Sequence, residues 1–151
     1  MGEKERVRVR SRDPIPDGGY EKLFREREEF VVRQHSRKLV IKPKDREWDL
    51  TRQGFVRWYL HPLLYHDTPL QDWYTFMLDI RTHSGRHRHQ GGLVIFIVEG
   101  SGGTEVDGER LLWKAGDLLL LPVKPGGVEH KHYNAEPGKG CRWLAFLYLP
   151  L

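Results

Sequence analysis

The chain has 151 residues, 38% hydrophobic and 30% charged, with a formal net charge of +4; that is one domain with room for a core, not a disordered polymer. The single cysteine, Cys141, rules out an internal disulfide framework, and no apolar run approaches the roughly 20 residues of a membrane span. A cytoplasmic location is expected. Basic residues concentrate in "MGEKERVRVRSR", but glutamates interrupt the run and no aromatic residue interleaves with it. This favours a solvated terminus over contact with nucleic acid or membrane.

A polar stretch ends in the turn-rich "DPIPDGG". In "YEKLFREREEFVVRQH", Tyr20, Leu23, Phe24, Phe30 and Val31 recur at helical spacing. Glu21–Arg25, Arg25–Glu29 and Glu29–Arg33 stand four apart along the solvent side. The spacing predicts an amphipathic helix over 20–35. From residue 38 short β-rich runs alternate with turns: "LVIK", "GFVRWYL", "WYTFMLDIRT", "LVIFIVEG", "GTEVDGERLLWKAGD", "LLLLP", "VEHKHYN" and "CRWLAFLYL". Asp107-Gly108 marks a hairpin. Many short strands at near-regular spacing predict an antiparallel barrel or sandwich. The expected layout is a tail and helix over 1–37 and a barrel over 38–151.

Histidines cluster in "RTHSGRHRHQGG". If residues 86–89 are extended, His87 and His89 share a face, and so do His130, His132 and Asn134 in "GGVEHKHYN". Two H-x-H pairs on separate strands can meet inside one barrel, and neutral imidazoles on one face suit a first-row divalent metal. The absence of a second cysteine argues against a thiolate-rich zinc site. Gly91-Gly92 suits a tight backbone turn after the histidines. His83 reads as a loop or rim residue. Arg81 shares parity with Trp73, Thr75, Met77 and Asp79, and is a candidate clamp for a substrate carboxylate. Trp58, Trp73, Trp113 and Trp143 read as core or interface residues. "CRWLAFLYLP" is apolar on both faces, which calls for cover on both sides and suggests a homodimer.

These motifs resemble the cupins, a family of small β-barrels. "HRHQGGLVIFIVEG" supplies His87, His89 and Gly100 of the first cupin motif. "GDLLLLPVKPGGVEHKHYN" supplies Gly116, Pro122, Gly127, His130 and Asn134 of the second. The resemblance covers roughly residues 72–150. It implies an all-β cupin barrel with an N-terminal helical extension, and a metal held by His87, His89 and His130. Three departures stand out. Arg81 takes the place of the family's opening glycine, "VKPGG" stretches the second motif, and Leu93 stands where the family has a ligand glutamate.

A three-histidine site carries no ligand charge, so Fe(II) in it keeps its full charge and leaves room for an anionic bidentate substrate and O2. In this the chain looks most like the gentisate dioxygenase group of cupins. The resemblance implies Fe(II), although three imidazoles also accept Mn, Ni, Cu or Zn, and a dioxygenase opening a small hydroxylated aromatic ring. Of the other polar residues, His132 is the expected base or acceptor for a substrate hydroxyl, and Arg81 the expected clamp for its carboxylate. The alternatives are a non-redox metal-dependent lyase, isomerase or decarboxylase, and a ligand-binding cupin without turnover.

Overall fold

The computed structural model describes residues 18–148. The basic N-terminal segment, most of the "DPIPDGG" boundary and Leu149 lie outside the described residues. Two compact units divide after Ser36. The first contains α1, Gly19–Ser36, one residue longer at each end than the spacing predicted. Glu29 and Arg33 pair at 3.6 Å as expected, and Lys22 and Glu26 form a further pair at 3.9 Å.

The second unit is built from ten strands. A six-stranded sheet has the order β1-β2-β3-β10-β5-β8, from β1 (Asp49–Thr51), β2 (Gly54–Leu60), β3 (Trp73–Asp79), β10 (Arg142–Tyr148), β5 (Leu93–Glu99) and β8 (Leu118–Leu121). A four-stranded sheet has the order β4-β9-β6-β7, from β4 (His87–His89), β9 (Val128–Asn134), β6 (Ser101–Val106) and β7 (Glu109–Lys114). All pairings are antiparallel. The β6–β7 hairpin turns on Asp107 and Gly108, both at positive φ, as the Asp-Gly pair requires.

The two sheets present different inner faces. On the six-stranded sheet alternate residues point inward and are apolar: Val56, Phe76, Leu78, Ile95, Ile97, Trp143 and Ala145 are all buried. On β9 the same alternation buries Val128, His130, His132 and Asn134, while Glu129, Lys131 and Tyr133 are half-buried. One wall of the interior is therefore greasy and the other is lined with imidazoles.

The run "LVIK" forms no strand. Residues 39–42 are irregular and lead into a short 3-10 turn, Pro43–Asp45, with Leu39 and Val40 exposed. Pro43 has no N–H to give a ladder and holds Lys42 extended, so the segment has β-like composition without a partner. Beside it the Arg46 guanidinium is buried, donating to both oxygens of Asp67 at 3.1 and 2.8 Å and to the Tyr59 carbonyl at 3.1 Å.

Candidate metal centre

Strand register brings the histidines together. β4 lies against β9 with His87 directly opposite His130, and both H-x-H pairs present the same parity to the interior. The segment ahead of β4 is sewn to the same strand. The Ser84 N–H donates to the His132 carbonyl at 2.8 Å, the His132 N–H donates to Ser84 Oγ at 2.9 Å, and the Asn134 N–H donates to the Thr82 carbonyl at 2.8 Å. His87, His89 and His130 thereby offer ligand atoms that all lie within 4.8 Å of one another. Their rings contact pairwise, with centroids 4.2 Å apart for His87–His130, 4.7 Å for His89–His130 and 5.4 Å for His87–His89.

The donor set fits a divalent metal ion. Each Nδ1 faces a backbone carbonyl: Gly85 at 3.0 Å for His87, Gln90 at 2.5 Å for His89 and Val128 at 3.2 Å for His130. A carbonyl only accepts, so each Nδ1 carries the proton and each Nε2 keeps its lone pair. His130 Nε2 is buried and has no hydrogen-bond partner among the described residues. A buried acceptor left without a partner is costly, and a cation within the cluster would satisfy it. Burial, together with the neighbouring His87 and His89, pushes His130 down to about 4; burial likewise lowers His87. His87 and His130 are therefore neutral near pH 7, the form that binds metal.

Among the described residues no carboxylate joins the cluster. Leu93, at the family's glutamate position, is buried in the core. Next to His89 lies a cavity of about 180 Å³ with walls from Trp58, Tyr74, Phe76, Leu93 and Leu147 and polar groups from Gln53, Gln90 and His89. For scale, an apolar cavity of roughly 150 Å³ holds a benzene ring. Trp58, read from the sequence as core or interface, is thus a wall of this cavity. Its signal was parity, since Trp58 lies two residues after the buried Val56. Gln53 escaped sequence reasoning because nothing local marks a glutamine as facing a cavity.

His132 lies behind the cluster, fully buried, with its ring 5.2 Å from His130 and 4.9 Å from Trp143. Its Nδ1 meets Thr104 Oγ1 at 2.8 Å, and Trp113 Nε1–H donates to the same oxygen at 2.9 Å. His83 is exposed and bridges to Tyr133 at the end of β9. Arg81 does not join the histidines. It is exposed and stacks 4.2 Å from the Phe55 ring centroid. Phe55 pairs with Asp79 on the face opposite to the buried Val56 and Leu78, so Arg81 stands outside the barrel wall. The parity group that contains it is the outward one. Asn134 is structural: its Nδ2 lies 3.1, 3.3 and 3.0 Å from the carbonyls of Ile80, Arg81 and Lys139, and its Oδ1 accepts from the Glu136 N–H at 2.9 Å.

Residues 74–147 match the Cupin domain family model. A gentisate 1,2-dioxygenase from a Streptomyces species is 43% identical over 68 residues, which is 43% of this chain and 17% of that enzyme. A 5-aminosalicylate 1,2-dioxygenase from a Comamonas species is 40% identical over 68 residues, again 43% of this chain and 17% of the enzyme. The chain thus matches less than a fifth of the length of these relatives. Among solved structures, a Cupin 2 conserved barrel domain protein from Salinispora arenicola superposes with a TM-score of 0.55 at 15% identity, covering 72% of this chain and 87% of that one. Barrel, motifs and match agree that residues 74–147 of the chain form a cupin domain.

Proposed function

We propose that the chain is an Fe(II)-dependent dioxygenase that opens the ring of a small hydroxylated aromatic acid with O2. The observation that carries this reading is a cluster of three imidazoles without a carboxylate, set beside an aromatic-walled cavity of single-ring size. The names of the matched enzymes support it: gentisate and 5-aminosalicylate are both salicylates with a polar group at position 5. Bound Fe(II) would supply Lewis acidity and the electrons that make O2 reactive. Both oxygen atoms end in the ring-opened product, so no external reductant is required.

The chain's own residues do the rest. His87, His89 and His130, each fixed in one tautomer by a backbone carbonyl, would hold the metal. Trp58, Tyr74 and Phe76 confine the ring, so that orientation contributes to the rate. Leu93 withholds the ligand charge that would oppose an anionic substrate. His132, oriented by Thr104, is the proposed acid–base group for the substrate hydroxyl. Arg81, stacked on Phe55 outside the barrel wall, does not reach a ring in this cavity.

The test is an oxygen electrode with Fe(II)-loaded protein and a panel of gentisate, 5-aminosalicylate, salicylate and catechol. We expect one O2 consumed per ring opened. The His132→Gln variant should keep its metal and lose turnover on the order of 100-fold. A flat trace with all compounds, alongside turnover of any substrate under anaerobiosis, would replace the dioxygenase with a lyase or isomerase.

A further inference from the structure

We propose that Gln53, at the tip of the β1–β2 hairpin, determines which ring the histidine site accepts: its carboxamide hydrogen-bonds a polar substituent on a ring that chelates the metal. This rests on the reading of the site as taking a single-ring aromatic acid.

The cavity beside His89 has no cationic side chain in its lining. An acidic group on the ligand therefore finds its counter-charge at the metal, and the rest of the ring meets Trp58, Tyr74 and Phe76. Away from the histidine, the lining residues that carry a polar group are Gln53, Gln90, Tyr74 and Trp58. Gln53 is half-buried, and its side chain makes no hydrogen bond among the described residues. A carboxamide both donates and accepts, so it suits a ring hydroxyl or amino group and not a second carboxylate.

The hairpin holds Gln53 in place. Its backbone N–H donates to Thr51 Oγ1 at 3.1 Å, and Thr51 Oγ1 donates to the Gly54 carbonyl at 3.1 Å. Gly54 takes the positive φ that closes the turn. The tip is also locked to the metal site. A Cβ on residue 85 would stand 2.3 Å from the Arg52 carbonyl oxygen, so only glycine permits this approach, and the carbonyl of the same Gly85 accepts from His87 Nδ1. One glycine thus touches both the hairpin that carries Gln53 and a metal ligand. A polar group fixed relative to the metal can select a ring by its substituent. Gln53 precedes residues 74–147, the segment that matches the family model, so this selection belongs to a part of the chain that the family motifs do not include.

The experiment is anaerobic calorimetry on Fe(II)-loaded protein with gentisate and with 5-methylsalicylate, which has nearly the same shape but no polar group at position 5. Wild type should bind gentisate about three- to tenfold tighter, the worth of one neutral hydrogen bond. Gln53→Leu should bring the ratio to one or below, with metal content equal to wild type. A variant that keeps the wild-type ratio, or a wild type that does not distinguish the two rings, would overturn the role of Gln53 and leave the ring-binding reading intact. A wild type that holds its metal and binds neither compound would overturn that reading, and the role of Gln53 with it.

Discussion

Each ligand histidine is a two-ended device, with a carbonyl taking the Nδ1 proton and Nε2 left free. His130 shows this most fully, because its Nε2 is buried without a partner among the described residues. His87→Ala, His89→Ala and His130→Ala are each expected to lose most of the bound metal, and His83→Ala to keep it, as measured by metal analysis of anaerobically purified protein. If His130→Ala keeps full metal while His132→Ala loses it, the third ligand is His132. The ring of His132 argues otherwise, since Thr104 holds its Nδ1 in a buried chain that continues to Trp113. Cys141 is inert by comparison. It is buried, and burial with Asp79 and Glu99 nearby pushes its thiol up to about 11, far from the thiolate that reactive cysteines need.

At the scale of the element, β9 and the β4–β5 turn make the site. β9 reads Val-x-His-x-His-x-Asn inward, so a slip of one residue would turn Glu129, Lys131 and Tyr133 to the interior. The register is pinned on both sides, by β4 and by β6. The β4–β5 turn explains the two glycines that follow His89. A Cβ at residue 91 would stand 1.7 Å from the Pro122 carbonyl oxygen, and Gly92 adopts a φ of +83. Gly91→Ala must therefore push β4 away from the loop after β8. We expect a loss of roughly 2 kcal/mol in denaturant unfolding, together with weaker metal binding because His89 moves with the turn. Unchanged stability and metal affinity would show that the loop yields without moving His89.

At the scale of the whole molecule, the described residues of the β-domain include a broad exposed apolar surface. On the outer face of the six-stranded sheet Val94, Phe96 and Val98 of β5, Leu118 and Leu120 of β8, and Tyr148 of β10 are exposed. Beside them Leu144 and Phe146 help to line a groove of about 480 Å³ with Leu60, Trp73 and Met77. Contiguous apolar surface of this kind marks an interface, and a twofold pair of identical faces is the simplest closed solution. We expect a homodimer by light scattering at micromolar concentration. Phe96→Glu and Leu120→Glu, at exposed positions, should yield monomers with an unchanged melting temperature per chain. A monomeric wild type would end the dimer expectation.

Local pattern was enough for a large part of this protein. Alternation located β2, β3, β5 to β10 and the shared face of His87 and His89, and helical spacing located α1, because the direction of a side chain follows from its own backbone. The motif spacing singled out His87, His89 and His130, which the structure brings together, and Leu93 at the glutamate position pointed to a cluster without a carboxylate. Tertiary structure decided what depends on distant partners. "LVIK" has strand composition but no neighbour to pair with. Arg81 shares parity with Met77 and Asp79, and only the packing of Val56, Leu78 and Trp143 shows that this is the outward face. The three-residue β1 is too short to carry a period, yet its hairpin brings Gln53 to the cavity by way of a contact between Arg52 and Gly85. A period along the chain is fixed by local geometry, whereas the inward face and the segments that meet there are settled by strand pairing and burial across many tens of residues.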